Sequence, residues 1–325
     1  MPQSQNDSGL WGVGIGLAKI QGDPHQILER FVSAYNSLHE YDSAIASKLM
    51  AAEIMTATSI DFTNLSETFK GLEKRLRTEA SVPKEQSVGI AATLLYGGPD
   101  NDSSFSRFLD FSGITESKEA AAILSITNIA TDWLTSKFQS YIAMFSDWGY
   151  SRSDDTDLAA AYMAISPLTV NDIQSKMNTI VDALKSDLQY PLVAAAIVTS
   201  MSTLDAAEAL DLVEKGVTIL GSFAKNLGRS VLVSLSVRMV HGVNNQLAQQ
   251  LDPNATMAKT PVQFTQTRQQ IGQSMYGGGP YFGGFFPGIW WWYFPLIVSH
   301  STFHNNFITG GGVHAGHDHG VGGFA

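Results

Sequence analysis

The feature that most constrains the fold is a short small-residue segment that recurs along the chain. Five copies combine small residues with bulky apolar neighbours, and a sixth has serine in place of alanine. They are LMAAEIM (49–55), GIAATLL (89–95), AAAILS (120–125), LAAAYMAI (158–165), LVAAAIV (192–198) and LVSLSV (232–237). The central residues recur with a period of about 36, which is typical of a two-helix unit. Adjacent alanines allow two helices to approach closely. We therefore expect stacked helical hairpins that bury a continuous core.

The residues between these segments also follow a helical pattern. Apolar side chains recur every three or four positions from His25 to about Asn245, as in Ile27, Phe31 and Leu38. Ser153 or Asp154 is predicted to cap a helix that begins near 154. The predicted fold class is all-α, an α-solenoid-like repeat. The alternative is an irregular helical bundle whose alanine clusters recur by chance. The units are similar to tetratricopeptide hairpins in length only, since the characteristic Trp, Gly and Tyr positions are missing.

Composition divides the chain into four parts. Residues 1–24 are expected to be a flexible leader, in which GVGIG (12–16) lacks the full dinucleotide-binding fingerprint. Residues 25–250 form the predicted helical repeat domain. Residues 251–299 are rich in Gly, Pro and aromatic residues, and residues 300–325 are a His- and Gly-rich tail that is expected to be flexible.

An aromatic run dominates the third part. From Gln269 to His317 there is no charged side chain other than histidine. Residues 281–298, here called the aromatic segment, lie within this stretch. Their candidate interaction residues are Phe285, Phe286, Trp290, Trp291, Trp292, Tyr293 and Phe294. Residues 277–299 hold six glycines and three prolines, and an interrupted backbone is not tolerated in lipid, so no transmembrane helix is predicted.

The role of this run has several interpretations. It either folds back to cover an open end or groove of the helical body, or associates with a second copy or another protein. Peripheral membrane contact through 281–298 is the other alternative, because tryptophan favours membrane interfaces. Three consecutive residues point in different directions on any regular element. At least one of the three tryptophan rings is therefore predicted to face outward.

The C-terminal tail carries the only dense histidine group. Five of the eight histidines are His300, His304, His314, His317 and His319. Imidazole binds Zn and Ni, so His314, His317 and His319 are candidate metal ligands. The alternative is a tail with no metal role. A catalytic metal is not expected, because the surrounding glycines enforce no geometry on the ligands.

Composition excludes several functional classes. The net charge of −10 argues against nucleic-acid binding, which needs a basic face. The chain has no cysteine, which excludes disulfides and thiol catalysis. The N-terminus does not match a secretory signal, so a cytoplasmic location is expected, with a membrane-peripheral one as the alternative.

The sequence therefore favours a non-enzymatic interaction or scaffold protein that binds a partner protein or self-associates. A metal-handling protein that uses the histidine tail is the alternative. An all-α enzyme with a site in a helical groove is a third hypothesis, since such folds can host chemistry without short motifs.

Overall fold

The computed structural model describes nine stretches of the chain and thirteen helices. The described residues are 11–18, 23–57, 66–97, 101–127, 129–165, 170–188, 191–200, 205–225 and 227–250. Their helices are α1 (residues 11–17), α2 (Pro24–Ser37), α3 (Ile45–Ala57), α4 (Ser66–Thr78), α5 (Lys84–Gly97), α6 (Asn101–Ser112), α7 (Lys118–Ser125), α8 (Thr131–Asp147), α9 (Asp154–Ile165), α10 (Val170–Leu184), α11 (Pro191–Ser200), α12 (Ala206–Phe223) and α13 (Arg229–Gln250). No strand occurs within these stretches, which confirms the all-α class.

From α2 onward, each even-numbered helix packs against the odd-numbered helix that follows it. This makes six hairpins, α2–α3 to α12–α13. The odd-numbered helices also contact one another in order, from α3 to α13. All six small-residue segments lie on these odd-numbered helices. We call the odd-numbered members of the hairpins inner helices and the even-numbered ones outer helices.

Burial distinguishes the two sets of helices. Every residue of α9 from Thr156 to Ala164 is buried, and alanines occupy three successive positions within that stretch. A helix that is apolar all round requires neighbours on every side. The outer helices instead bury one stripe; on α12 this stripe is Ala209, Val213, Gly216, Val217 and Leu220. Outer helices are therefore the amphipathic shell around a row of inner helices.

Close approach within the last hairpin depends on a glycine and a serine. A Cβ at Gly216 of α12 would lie 2.1 Å from Ser236 Oγ of α13. Ser236 Oγ donates a hydrogen bond to the Val213 carbonyl, with an oxygen–oxygen distance of 2.5 Å. The hydroxyl of this serine in the degenerate LVSLSV segment is thus hydrogen-bonded at the helix contact, where a larger side chain would not fit.

Basic residues at or just before the first turns of inner helices join consecutive hairpins. Lys84, the first residue of α5, pairs with Asp42 in the loop before α3. Arg229, the first residue of α13, donates from Nε to Asp187 at 2.8 Å, in the loop before α11. Arg152, just before α9, donates to the Ile114 carbonyl in the loop before α7. Neighbouring loops are therefore tied together at one end of the helical row.

The start of α9 follows the capping prediction. Ser153 Oγ accepts a hydrogen bond from the Thr156 backbone N–H at 3.3 Å, so Ser153 is the cap. The buried carboxylate of Asp157 in the same first turn accepts bonds from Arg152 and from the Glu116 backbone N–H at 2.5 Å. The acidic first turn thus fixes α9 to the preceding hairpin as well as capping it.

A buried ion pair joins the first inner helix to the last. Arg238 Nη2 of α13 lies 2.6 Å from Glu53 Oε1 of α3, and the two side chains are 0% and 1% exposed. The partners are 185 positions apart. In an open solenoid each repeat contacts only its neighbours. Here the buried Glu53–Arg238 pair joins the last inner helix to the first, so the row of hairpins closes into a ring. We call the junction between the first and last hairpins the seam.

Helix α1 lies at this seam. A Cβ at Gly16 would lie 1.9 Å from Glu53 Oε1 and 2.3 Å from Arg238 Nη2, so the α1 backbone rests directly on the ion pair. Val13 belongs to the main core, while Ile15 packs beside Leu220 and Leu235 of the last hairpin. The N-terminal leader expected from the sequence therefore contains a helix that covers the junction of the first and last hairpins.

Candidate functional site

Contacts of α4 show which way the two flanks of an outer helix face. Lys70 follows the buried Phe69, and its Nζ lies 3.3 Å from Glu40 Oε1 in the preceding hairpin. Arg75, which precedes a buried leucine, lies 4.0 Å above the Phe105 ring of the following hairpin. The residue after a buried position therefore faces the preceding hairpin, and the residue before one faces the following hairpin.

The same rule applied to α2 points two apolar side chains at the seam. Leu28 follows the buried Ile27, and Val32 follows the buried Phe31. Both therefore occupy the flank that faces the preceding hairpin. Because α2–α3 is the first hairpin, that flank faces the seam. Leu28 and Val32 are both exposed.

The last outer helix presents a matching pair from the other side. On α12, Ile219 precedes the buried Leu220, and Phe223 lies one turn farther along the same row. This flank faces the following hairpin, which is again the seam. Glu214 lies on the opposite flank, where it accepts a bond at 2.7 Å from Arg229, which also donates to Asp187 of the preceding hairpin. Its position agrees with the rule drawn from α4.

Five exposed apolar side chains thus belong to one region of the surface. We define the seam face as Trp11, Leu28, Val32, Ile219 and Phe223. They are between 37% and 74% exposed, and they are five of the eight exposed large hydrophobic residues in the described part of the chain. The junctions between the first and second, the second and third, and the fifth and sixth hairpins carry ion pairs or a cation–π contact. The seam face is therefore the concentration of apolar surface that can bind another apolar surface.

A second exposed tryptophan has a local explanation. Trp133 of α8 packs against Lys137, whose Nζ lies 4.9 Å from the centre of the indole ring. Burial lowers the pKa of Lys137 to about 8. The indole ring covers the lysine side chain one turn along its own helix. This contact within α8 accounts for Trp133, which we do not include in the seam face.

Carboxylates gather at the start of α9. Burial raises the pKa of Asp155 to about 6, and the neighbouring Asp154 and Glu119 add to the shift. Burial, followed by the charge of Asp157, also raises the pKa of Asp154. A carboxyl with a pKa near 6 can exchange a proton close to neutral pH. This group is the acid–base feature that an enzyme hypothesis would have to use.

We expect Asp155→Asn to stabilise the protein at pH 7.5 by roughly 1–2 kcal/mol, because the raised pKa makes ionised Asp155 unfavourable in the folded state. The folded-state pKa exceeds the unfolded-state value. The stabilising contribution of Asp155 is therefore complete below about pH 4 and is lost as pH rises through about 6. Denaturant unfolding between pH 4 and 8 should show the gap between wild type and variant growing as pH rises.

The matched control is Asp132→Asn, at an exposed aspartate in the first turn of α8. A charge there is favoured by the helix dipole, so this variant should lose about 0.3–1 kcal/mol at neutral pH. An Asp155→Asn variant that loses stability at pH 7.5, as the control does, would contradict the assignment.

The sequence-predicted site residues lie outside the described residues. This holds for the candidate metal ligands His314, His317 and His319 and for the aromatic residues from Phe285 to Phe294. Both predictions stay predictions. Among the residues that are described, no group of three or more His, Asp or Glu side chains is placed to hold a metal ion. Within the same stretches, no helix is both long and apolar enough to cross a membrane.

Sequence reasoning missed the residues that build the seam. Glu53 is the only charged residue within LMAAEIM, and Arg238 directly follows LVSLSV. Opposite charges on the first and last segments were a signal that the two pair. The apolar residues at 28 and 32 widen the apolar stripe of α2 beyond what one buried face requires. That excess was a signal for a second contact surface.

Comparisons with protein-family models, with curated proteins and with solved structures found no match for this chain.

Proposed function

We propose that this protein is a non-enzymatic interaction protein, a helical scaffold that binds a partner protein through the seam face. One observation carries the proposal: exposed apolar side chains line both flanks of the seam, while ion pairs span junctions such as those between the first and second and between the fifth and sixth hairpins. Exposed apolar surface that is concentrated in one region marks interaction sites in folded proteins.

The framework beneath this surface supports a binding role. Leu28 and Val32 belong to the first hairpin, while Ile219 and Phe223 belong to the last. The Glu53–Arg238 ion pair and α1 fix these hairpins relative to each other. A surface held on rigid helices loses little conformational freedom on binding, which favours affinity. The repeat of stacked hairpins proposed from the sequence would serve as the scaffold that holds it.

The aromatic segment is the second element of the proposal. Its residues from Phe285 to Phe294 offer large rings that suit an association surface. We assign association to this segment on sequence grounds and to the seam face on structural grounds. Metal handling by His314, His317 and His319 stays the alternative function, with Zn or Ni as the expected metal.

The test is recovery of partners from native extract on immobilised full-length protein. The variant Ile219→Ser with Phe223→Ser removes the α12 half of the seam face, and both positions are exposed, so folding should be retained. We expect at least one co-purifying protein to fall by about tenfold or more, the effect of losing roughly 1.4 kcal/mol of binding.

The matched control is Leu109→Ser, which removes an exposed leucine on α6, away from the seam. Recovery of the same protein should be unchanged in this variant. Equal recovery on wild type and on both variants would show that the seam face does not bind a partner, and the proposal would be wrong.

A further inference from the structure

We infer that the seam face is covered, in the protein without its partner, by residues 281–298 of the same molecule. The inference rests on the proposed function, because it assigns an occupant to the same surface. It adds a regulatory element, since a partner would have to displace the aromatic segment in order to bind.

The course of the chain brings it to the seam. The last described helix, α13, carries Arg238 of the seam ion pair and continues to Gln250. Residues 251–325 follow it. Because α13 is itself a seam helix, the chain leaves the described body from the hairpin that carries Ile219 and Phe223.

The length of the connection allows the contact. Residues 251–280 lie between α13 and the aromatic segment. A chain of thirty residues can reach up to roughly 100 Å when fully extended. A body of the described size has an expected radius of gyration of about 18 Å. The span therefore suffices to return the segment to the flank of the ring.

The absence of charge favours the seam face over the other surfaces that the aromatic segment can reach. The aromatic segment has no charged side chain. At other junctions it would have to displace water from ion pairs such as Lys70–Glu40 and Arg229–Asp187. Burying a charged group without compensation is costly. At the seam it would instead meet Leu28, Val32, Ile219 and Phe223, which have no charge to desolvate.

Tethering favours the segment of the same molecule over that of another. A tether of this kind gives an effective concentration in the millimolar range. The segment of a second copy, present at micromolar concentration, competes with the tethered segment at a disadvantage of about a thousandfold. The same arithmetic applies to a free partner, so displacement requires a partner that binds more tightly than the segment does.

Disulfide trapping in the full-length chain tests the inference, because the natural sequence has no cysteine. Two double variants place one cysteine on the seam face and one in the segment: Phe223→Cys with Trp291→Cys, and Leu28→Cys with Trp291→Cys. The control pair is Ser140→Cys with Trp291→Cys, at an exposed position on α8. A mild copper oxidant accepts the electrons that the two thiols release.

We expect both seam pairs to close an intramolecular disulfide at least about tenfold faster than the control pair, because the docked segment raises the local thiol concentration. The rate should not depend on protein concentration. Equal rates for seam and control pairs would overturn the inference. So would disulfide-linked dimers that form faster at higher concentration, because they would make a second copy the occupant. Partner recovery that depends on Ile219 and Phe223, together with slow trapping, would reject the cover and leave the proposed function standing.

Discussion

Replacing Arg238 with Met should destabilise the protein by about 3–5 kcal/mol, because it leaves the buried carboxylate of Glu53 without its ionic partner. The Arg238 Nη2–Glu53 Oε1 distance of 2.6 Å and the burial of both side chains place the pair in a low-dielectric environment. A loss of this size is a large share of the roughly 5–15 kcal/mol that stabilises a typical protein. Denaturant unfolding at neutral pH measures it.

The double variant Arg238→Met with Glu53→Leu is the matched control. It removes both charges and leaves apolar side chains of similar size. Replacing a buried ion pair in this way is often neutral or stabilising, so the double variant should recover most of the loss. A double variant as unstable as the single one would show that the two residues act independently and that the ion pair does not close the ring.

The inner helices could be recognised from sequence because their signal is local. Alanines at 159–161 and 194–196, flanked by bulky apolar residues, identify helices that are packed on all sides. Six such segments at a regular period also indicate that the units are alike. Ser153 could be identified as a cap because capping depends on residues three positions apart. Each of these features depends on neighbours in the chain.

Ring closure could not be predicted in the same way. The repeat period fixes the size of a hairpin but not the small rotation between hairpins, and that rotation decides whether a row stays open or closes. The decisive contact joins residues 185 positions apart. Glu53 and Arg238 are visible as isolated charges, but a buried charge in one segment has many conceivable partners until the curvature of the row is known.

The seam face depends on ring closure, so it could not be predicted from the sequence either. Leu28 and Ile219 each lie beside a buried stripe, where single exposed apolar residues are ordinary. Only the contact between the first and last hairpins makes the two flanks face the same region.

Helix α1 was missed for another reason. Glycines disfavour helix by about 1 kcal/mol each, so GVGIG suggested a flexible leader. Tertiary contact with the ion pair outweighs that preference.

Two glycine-to-alanine changes in α1 should therefore have opposite signs. Gly16→Ala should destabilise the protein by about 3 kcal/mol, the upper part of the usual range for overpacking. Its new Cβ would lie 1.9 Å from Glu53 Oε1 and 2.3 Å from Arg238 Nη2. Either α1 must leave the seam or the buried ion pair must shift. Alanine restores some helix propensity, but that gain of up to about 1 kcal/mol is smaller than the cost of the clash.

Gly14→Ala is the control, two residues earlier on a different face of the same helix. A Cβ at Gly14 meets nothing within 4 Å, and the residue is exposed. Its substitution should stabilise the protein by about 0.4–1 kcal/mol, because alanine favours helix and loses less backbone entropy on folding. Denaturant unfolding gives both values, and hydrogen exchange of the α1 amides reports whether the helix leaves the seam. Two variants that stabilise equally would show that α1 does not rest on the ion pair.

Because Trp11 belongs to the same helix, release of α1 by Gly16→Ala should also weaken partner recovery at the seam face, whereas Gly14→Ala should leave it unchanged.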